Sequence, residues 1–276
     1  MSSDIIVDLE KCTGCGLCVS VCPTVTLSII NKKSSVAYSH RCISCAHCAA
    51  ICPRGALTSN RFSVASLEGN EIEKNLSGKR SVREFKDETI PAEILDRIVY
   101  FGEKAPAAKN VRNRKYIIVS DIDKIDEIER AVISKYQNYG KILEPARIAV
   151  KIFSPKKSEK LKRMSHEFRH MKKSLYDKGH PIFCGAKALI IILSPKHDIF
   201  AKDNCFASQN YMMLYAESVG VGSCINGYSQ ITHKAVEKII ECPKGYRVYA
   251  VSMFGYPKYK YQNTTEFKTD IIKKYE

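Results

Sequence analysis

The spacing of the cysteines constrains this chain more than any other feature of its sequence. Eight of the twelve cysteines lie between residues 12 and 52, in two copies of Cys-x-x-Cys-x-x-Cys-x-x-x-Cys-Pro offset by 30 residues at every position. Three thiolates at successive spacings of three can wrap an irregular loop around one iron-sulfur cubane, while a fourth ligand comes from elsewhere. The repeat therefore predicts metal ligation by Cys12, Cys15, Cys18, Cys22, Cys42, Cys45, Cys48 and Cys52.

Other uses of cysteine fit this pattern less well. Paired zinc knuckles also contain Cys-x-x-Cys, but zinc sites rarely carry a third and a fourth cysteine at these spacings followed by proline. A disulfide framework is typical of small secreted domains, whereas the other four cysteines of this chain are scattered singly. They are predicted to be small buried hydrophobes, and they are Cys184, Cys205, Cys224 and Cys242.

The segment that contains both copies, residues 1–60, resembles the two-cluster bacterial ferredoxins. In that family the fourth cysteine of each motif crosses over to the other cluster, so the resemblance implies two [4Fe-4S] clusters. One would be held by Cys12, Cys15, Cys18 and Cys52, and the other by Cys22, Cys42, Cys45 and Cys48. We therefore expect a small ferredoxin-like domain over residues 1–60, which moves electrons one at a time.

Residues 61–75 have mixed polarity with no sustained period, and they are predicted to be a linker. Beyond them helical and extended patterns alternate, which favours a layered α+β domain over residues 76–276. Helices are predicted at 92–104, 121–139, 206–219 and 233–241, and strands at 115–120, 148–153, 188–194 and 246–254. Because no Gly-x-Gly-x-x-Gly follows these strands, a separate dinucleotide-binding domain is not expected.

Four segments of this second region resemble the nitroreductase family of FMN enzymes, over roughly residues 76–260. Residues 79–83 (Lys-Arg-Ser-Val-Arg) are similar to the opening segment of the family, and residues 105–110 to its Ala-Pro-Ser-x-x-Asn. Residues 220–227 look like the glycine-rich stretch beneath the flavin, and residues 254–257 like the closing strand and turn. The resemblance implies a three-layer α/β/α domain with a mostly antiparallel central sheet, paired as a homodimer with FMN at the interface.

By the same resemblance, particular residues are expected to bind FMN. Cations and a hydroxyl in the opening segment suit the flavin phosphate and ribityl chain, and Asn110 can both donate to and accept from the isoalloxazine edge. The backbone N–H of Asn226 or Gly227 would point at flavin N5. Alanine stands at 107 where serine is usual, and lysines follow the closing turn in place of the usual arginines. The expected contacts are Lys79, Arg80, Ser81, Arg83, Pro106, Ala107, Asn110, Ile225, Asn226, Gly227, Lys258 and Lys260.

A basic insertion at residues 155–180 contains the sequence His-Glu-Phe-Arg-His from His166 to His170, which matches the His-Glu-x-x-His of zinc proteases. On a helical wheel both histidines fall nearly opposite the apolar stripe, so they are expected to face solvent and the match is interpreted as chance. The stripe consists of Leu161, Met164, Phe168, Met171 and Leu175. The insertion is equally consistent with a lid over the flavin and with a plain surface helix.

The formal net charge of +15 would by itself suit a nucleic-acid or membrane partner. Two loaded clusters and a flavin phosphate reduce it to roughly +9, and no nucleic-acid-binding motif accompanies it. Solvated surface lysines explain the charge, and neither partner is expected. No apolar run is long enough to span a bilayer and residues 1–9 lack a signal-peptide pattern, which predicts a cytoplasmic protein.

These features predict an iron-sulfur flavoprotein oxidoreductase. Electrons from a ferredoxin or from NAD(P)H would pass through the clusters and FMN to a small-molecule acceptor such as a nitroaromatic or a quinone. One alternative is direct reduction of the flavin by NAD(P)H, with the clusters as the exit. Another is a redox carrier or sensor without a dedicated substrate.

Overall fold

The computed structural model of the chain describes residues 5–65, 68–170 and 180–267. The chain divides into two compact units, one formed by Met1–Arg80 with Lys258–Glu276 and the other by Ser81–Pro257. We call the first the cysteine unit and the second the sheet unit. These boundaries differ from the predicted domains 1–60 and 76–276, because the last described strand belongs with the N-terminal part of the chain.

The cysteine unit is built from short elements. Its described strands form three antiparallel pairs: β1 (Ile6–Val7) with β4 (Leu57–Thr58), β2 (Leu27–Ile30) with β3 (Lys33–Val36), and β5 (Phe62–Ala65) with β10 (Thr264–Phe267). Its described helices are α1 (Leu17–Ser20), α2 (His47–Ile51) and α3 (Glu71–Gly78). In the pairing of β5 with β10, backbone hydrogen bonds therefore join segments from the two ends of the sequence.

The predicted linker at 61–75 contains β5 and the first part of α3. The helix begins with a capping box, in which Asn70 Oδ1 accepts from the N–H groups of Ile72 and Glu73 and Glu73 Oε2 accepts from the N–H of Asn70 at 2.7 Å. This reciprocal pair satisfies N–H groups that the first turn of a helix leaves unpaired. An eight-residue helix has too few turns for an apolar period to show in the sequence, so the cap is its clearest signal.

The sheet unit is organised around one four-stranded antiparallel sheet in the order β6-β7-β9-β8. The strands are β6 (Lys115–Val119), β7 (Ala188–Pro195), β8 (Gly222–Ile225) and β9 (Tyr246–Gly255). Around them lie α4 (Ala92–Glu103), α5 (Ile122–Phe153), α6 (Pro155–Arg169), α7 (Ala201–Ser218), α8 (Gly227–Ile231) and α9 (His233–Ile239).

Every residue of β7 is buried, and successive side chains enter two different cores. Leu189, Ile191 and Leu193 pack in one core with residues of α5 and α9 such as Ile128 and Val236. The second core holds Ala188, Ile190 and Ile192 together with Leu95 and Ile98 of α4 and Met212 of α7. Helices therefore cover both faces of the sheet, which confirms the predicted three-layer α/β/α fold with an antiparallel centre.

The strand predicted at 148–153 is wrong, because these residues continue α5 to Phe153. The segment is rich in apolar residues, but Ile148 and Phe153 are exposed on the surface of the helix. Earlier along α5, the helix lies close to α6. Ser165 Oγ donates to Gly140 O at 2.8 Å, and a Cβ added at Gly140 would lie 2.9 Å from the backbone N of Arg169. The two helices approach so closely at this point that only glycine fits.

The basic insertion begins with α6. His166 within this helix and His170 directly after it are exposed, as predicted. Met171 and Leu175, the last two members of the predicted apolar stripe, lie outside the described residues. Among the helices that the structure describes, none combines the length and the apolar character needed to cross a bilayer.

Candidate cluster and flavin sites

The cysteine unit brings four of the predicted ligands to one cavity, which we call site I: Cys12, Cys15, Cys18 and Cys52. Cys12, Cys18 and Cys52 are buried, whereas Cys15 is exposed. Other residues of the 12–18 loop complete the cavity wall, together with Ser34 and Arg54. Four cysteine sulfurs around one cavity are the ligand set that a cubane cluster requires.

The remaining four predicted ligands, Cys22, Cys42, Cys45 and Cys48, form a second group that we call site II. Burial raises the pKa of the Cys48 thiol, and repulsion from nearby thiolates at Cys45, Cys22, Cys18 and Cys42 adds to the rise. Burial likewise raises the pKa of Cys18, with repulsion from Cys15 and Cys52. The cysteine that ends each motif thus lies beside the other motif. Metal binding offsets the cost of holding such thiolates deprotonated.

Left-handed backbone shapes both cysteine loops at equivalent positions. Gly14 and Gly16 have φ of 74° and 80°, and the residues at the same places in the second copy, Ser44 and Ala46, have φ of 54° and 59°. At Gly14 a Cβ would lie 2.0 Å from Lys32 O, so only glycine fits. Non-glycine residues in this region cost on the order of 1 kcal/mol, and such strain clusters at functional sites.

Several groups that sequence reasoning missed donate hydrogen bonds to cysteine sulfur. The N–H of Thr26 donates to Cys22 Sγ at 3.2 Å, and the N–H of Ala56, its equivalent in the second copy, donates to Cys52 Sγ at 3.3 Å. Burial raises the pKa of Cys22, but hydrogen bonds from Thr26 and Thr24 outweigh it and lower that pKa overall. The constant offset of the repeat could have located the two backbone donors, because they occupy the same place in each copy.

In the sheet unit, the 81–85 segment joins the glycine-rich segment that follows α7. Ser81 forms a parallel bridge with Ser223, and the N–H of Val82 donates to Ser223 O at 3.0 Å. A Cβ at Gly222 would lie 2.9 Å from Val82 Cγ2, so glycine is required for this close approach. Ser81 and Arg83, predicted to bind FMN, are therefore brought to the strand that leads to Ile225.

The 105–110 loop is held by different contacts. The N–H of Ala108 donates to Asn204 Oδ1 at 2.8 Å, and the buried Arg114 guanidinium donates to Asn204 O at 3.0 Å and to Ala105 O at 3.3 Å. Lys109 and Asn110 follow with left-handed φ of 56° and 52°. Sequence reasoning missed Asn204 and Arg114, since only the fold brings such distant parts of the sequence together.

The predicted flavin residues of this loop, Pro106 and Asn110, are exposed, and Ala107 is half-buried. An asparagine tolerates the left-handed region better than most side chains. The backbone conformation thus presents the Asn110 amide at the surface of the unit, where a flat polar ligand edge can reach it.

One predicted backbone contact needs correction. The N–H of Asn226 donates to Val251 O at 2.9 Å within the sheet, so it cannot also point at a flavin. The Asn226 side chain donates to Ile182 O at 2.8 Å and accepts from the N–H of Ser229. Gly227 is the first residue of α8, where an amide N–H has no carbonyl one turn earlier in the helix. Of the two predicted donors, Gly227 is the one whose geometry suits a ligand.

The remaining predicted cations, Lys79, Arg80, Lys258 and Lys260, belong to the cysteine unit. The Arg80 guanidinium donates to Ser77 O at 2.9 Å and to Thr265 Oγ1 at 2.9 Å, which ties the end of α3 to β10. Lys258 and Lys260 are exposed. In the sheet unit, Arg83 Nη1 lies 3.3 Å from Ser81 O.

A further group of ligating side-chain types lies on α5, where Asp126 and Glu129 face His180. Glu129 is buried, and its Oε1 accepts from the N–H groups of Ile182 and Phe183 at 2.8 and 3.0 Å. Glu129 Oε2 lies 3.0 Å from His180 Nδ1. These hydrogen bonds fix residues 180–183 to α5, and this structural role explains why the three side chains lie together.

Comparison with known proteins adds two matches along the chain. Residues 76–256 match the profile described as "Nitroreductase family", and residues 4–53 match the one described as "4Fe-4S dicluster domain". An iodotyrosine deiodinase of Thermotoga neapolitana is 24% identical over 179 residues, which are 65% of this chain and 84% of that protein.

Two solved structures are similar in fold to the part of the chain that they cover. A nitroreductase with bound FMN from Bacteroides fragilis has 21% identity and a TM-score of 0.53, covering 68% of this chain and 89% of its own. An iodotyrosine deiodinase bound to FMN and 3-iodo-L-tyrosine has 20% identity and a TM-score of 0.54, covering 74% and 98%.

Proposed function

Because the chain belongs to the nitroreductase family and carries a 4Fe-4S dicluster domain, it is an FMN-dependent oxidoreductase, and we propose that its two groups of cysteines hold two [4Fe-4S] clusters. Electrons would pass from a ferredoxin or NAD(P)H through these clusters and FMN to an organic acceptor such as a nitroaromatic or a quinone. The observation that carries the proposal is the sorting of eight cysteines into two groups of four, with one crossover cysteine in each.

The cysteines and the peptide groups around them have separate tasks. Cys12, Cys15, Cys18 and Cys52 would ligate one cluster, and Cys22, Cys42, Cys45 and Cys48 the other. Backbone N–H groups of Thr26 and Ala56 would stabilise the negative charge on the ligating sulfurs. Because Cys15 is exposed, an electron-donor protein could approach site I at this cysteine.

Bound FMN would convert a supply of single electrons into delivery of electron pairs. Ser81, Arg83, Pro106, Ala107, Asn110, Ile225 and Gly227 of the sheet unit would bind and orient it. The phosphate contacts expected at Lys79, Arg80, Lys258 and Lys260 fall in the cysteine unit and stay predictions. Asn226 would act through its side chain, by fixing the start of α8 to Ile182 and so placing the Gly227 amide. The family resemblance further supports a homodimer with FMN at the interface.

The first test measures the iron and FMN content of anaerobically purified protein. About eight irons and one FMN per chain are expected for two clusters and one flavin. Cys52→Ser and Cys22→Ser should each lower the iron content by about half, and Cys184→Ser, which lies outside both sites, should leave it unchanged. About four irons in the unsubstituted chain would contradict the two-cluster proposal.

The second test separates the enzyme from a redox carrier or sensor. Anaerobic protein is mixed with NADH, NADPH or reduced ferredoxin, and the order in which cluster and flavin absorbance bleach gives the direction of electron flow. A nitroaromatic, a quinone and an iodinated tyrosine then serve as acceptors, the last because a relative is an iodotyrosine deiodinase. An enzyme consumes an acceptor over many turnovers, whereas a carrier exchanges electrons with proteins and stops after one.

A further inference from the structure

Ser34, on β3, is a buried polar residue whose two hydrogen-bonding groups both face site I. Its side chain lines the site I cavity, and the residue is 2% exposed. Its backbone N–H donates to Cys12 Sγ at 3.4 Å, and its Oγ lies 3.3 Å from Cys18 Sγ. One residue therefore contacts two sulfurs of the same proposed cluster site.

The direction of the hydroxyl hydrogen bond depends on the state of Cys18. With a protonated thiol, Cys18 donates to Ser34 Oγ, as in this structure. A thiolate ligand has no proton, and a serine hydroxyl can rotate to donate instead. A hydroxyl that donates to a charged sulfur in a buried site forms a strong hydrogen bond, because no water competes for it.

The internal repeat shows that this donor belongs to one copy only. The backbone donors Thr26 and Ala56 are equivalent in the two copies, but the residue equivalent to Ser34 is Val64, whose side chain cannot donate. In site II the Thr24 hydroxyl lies 3.7 Å from Cys22 Sγ and 2.9 Å from Thr26 Oγ1. It is more distant from sulfur than the Ser34 hydroxyl and is shared with a second hydroxyl.

We propose that the Ser34 hydroxyl raises the reduction potential of the cluster at site I. Each electron that enters a cluster increases the negative charge on its ligating sulfurs, and a hydrogen bond donated to sulfur stabilises the more negative state. Ser34 is thus a positioning and tuning residue that favours residence of the electron at site I. The inference rests on the proposed function, since it requires a cluster at site I.

The test is a potentiometric titration of the anaerobic holoprotein, followed by the electron paramagnetic resonance of the reduced clusters. At a fixed potential, Ser34→Ala should lower the ratio of reduced to oxidised cluster about tenfold for one of the two couples. For a one-electron couple this corresponds to a reduction potential that is lower by about 59 mV. The other couple should not move. Ser35→Ala is the matched control, because its side chain points to the opposite side of the same strand.

Ser34→Thr and Ser34→Val provide a second comparison if Ser34→Ala loses iron, since the two side chains have nearly the same shape and differ in the hydroxyl. The threonine variant should keep the wild-type potentials, and the valine variant should show the same fall in one couple. Unchanged couples in Ser34→Ala or Ser34→Val at full iron content would overturn the inference, as would an equal shift of both couples. About four irons in the wild-type protein would instead be a failure of the proposed function.

Discussion

The cysteine unit and the sheet unit differ in what fills their interiors. The buried core of the cysteine unit includes the predicted ligands Cys12, Cys18, Cys48 and Cys52, and its described strands are short. In the sheet unit, the eight residues of β7 are all buried between two layers of helices. Small domains commonly need a metal to complete a core, whereas a large apolar core stabilises itself. We therefore expect bound clusters to contribute more to the stability of the cysteine unit than bound FMN contributes to that of the sheet unit.

Removal of iron should have the largest effect and should be confined to the cysteine unit. Metal-binding free energy in small metal domains is on the order of 10 kcal/mol, so stripping the clusters should increase amide hydrogen exchange in residues 5–65 by at least about 100-fold. Exchange in β7 and β9 should not change. Hydrogen exchange with mass spectrometry measures both. Protection that persists in residues 5–65 after iron removal would contradict a stabilising role of the clusters in the cysteine unit.

A cavity in the sheet core should have the next largest effect. Ile191 is fully buried in β7, and Ile191→Ala should lower the free energy of unfolding of the sheet unit by about 2–5 kcal/mol. Ile199, which is 80% exposed, offers a matched control, and its replacement by alanine should change stability by less than about 0.5 kcal/mol. Denaturant unfolding followed by circular dichroism gives both values. A parallel loss of iron from Ile191→Ala would show that the two units do not respond separately.

A side chain added at Gly222 should lower the stability of the sheet unit by less than the cavity at Ile191 does. A methyl group there meets Val82 at 2.9 Å, and overpacking of this kind lowers stability by about 1–3 kcal/mol. Gly222→Ala should therefore lower the melting temperature, and adding Val82→Ala should recover part of the loss. The double-mutant cycle in thermal unfolding measures this coupling. Strictly additive effects of the two substitutions would show that the contact is not the cause.

Loss of the Asn204 amide should weaken flavin binding with little effect on the sheet core. Asn204→Ala removes the acceptor for the Ala108 N–H and leaves that group without its partner. A lost hydrogen bond of about 1.4 kcal/mol corresponds to a tenfold weaker Kd for FMN. Fluorescence titration of flavin-stripped protein with FMN measures this change. Lys202→Ala, an exposed position on the same helix, is the control, and equal affinity for both variants would argue against a role of the loop.

Much of the fold could be read from local patterns. The apolar run at 188–193 and the amphipathic period at 92–103 lie within single elements, so their burial shows directly in the sequence. The prediction at 148–153 was wrong because these residues continue α5, and a short apolar run does not by itself distinguish a strand from a helix. The predicted linker at 61–75 contains β5, whose partner strand lies near the other end of the sequence.

The candidate sites also divide into features set by local sequence and features set by contacts between distant segments. Spacing alone was sufficient to predict eight metal-ligating cysteines, since a loop that wraps a cluster is a local structure. The resemblance to two-cluster ferredoxins implied their grouping into site I and site II. The donors Ser34, Thr26 and Ala56 became visible only when strands and loops were placed in space.

In the sheet unit, short motifs identified the 81–83 and 105–110 segments, but Asn204 and Arg114 carry no motif. The sequence likewise gave no sign that the N–H of Asn226 donates to Val251 O. The physical reason is that a hydrogen bond between distant segments depends on where the whole chain has packed, while cysteine spacing and apolar period are properties of neighbouring residues.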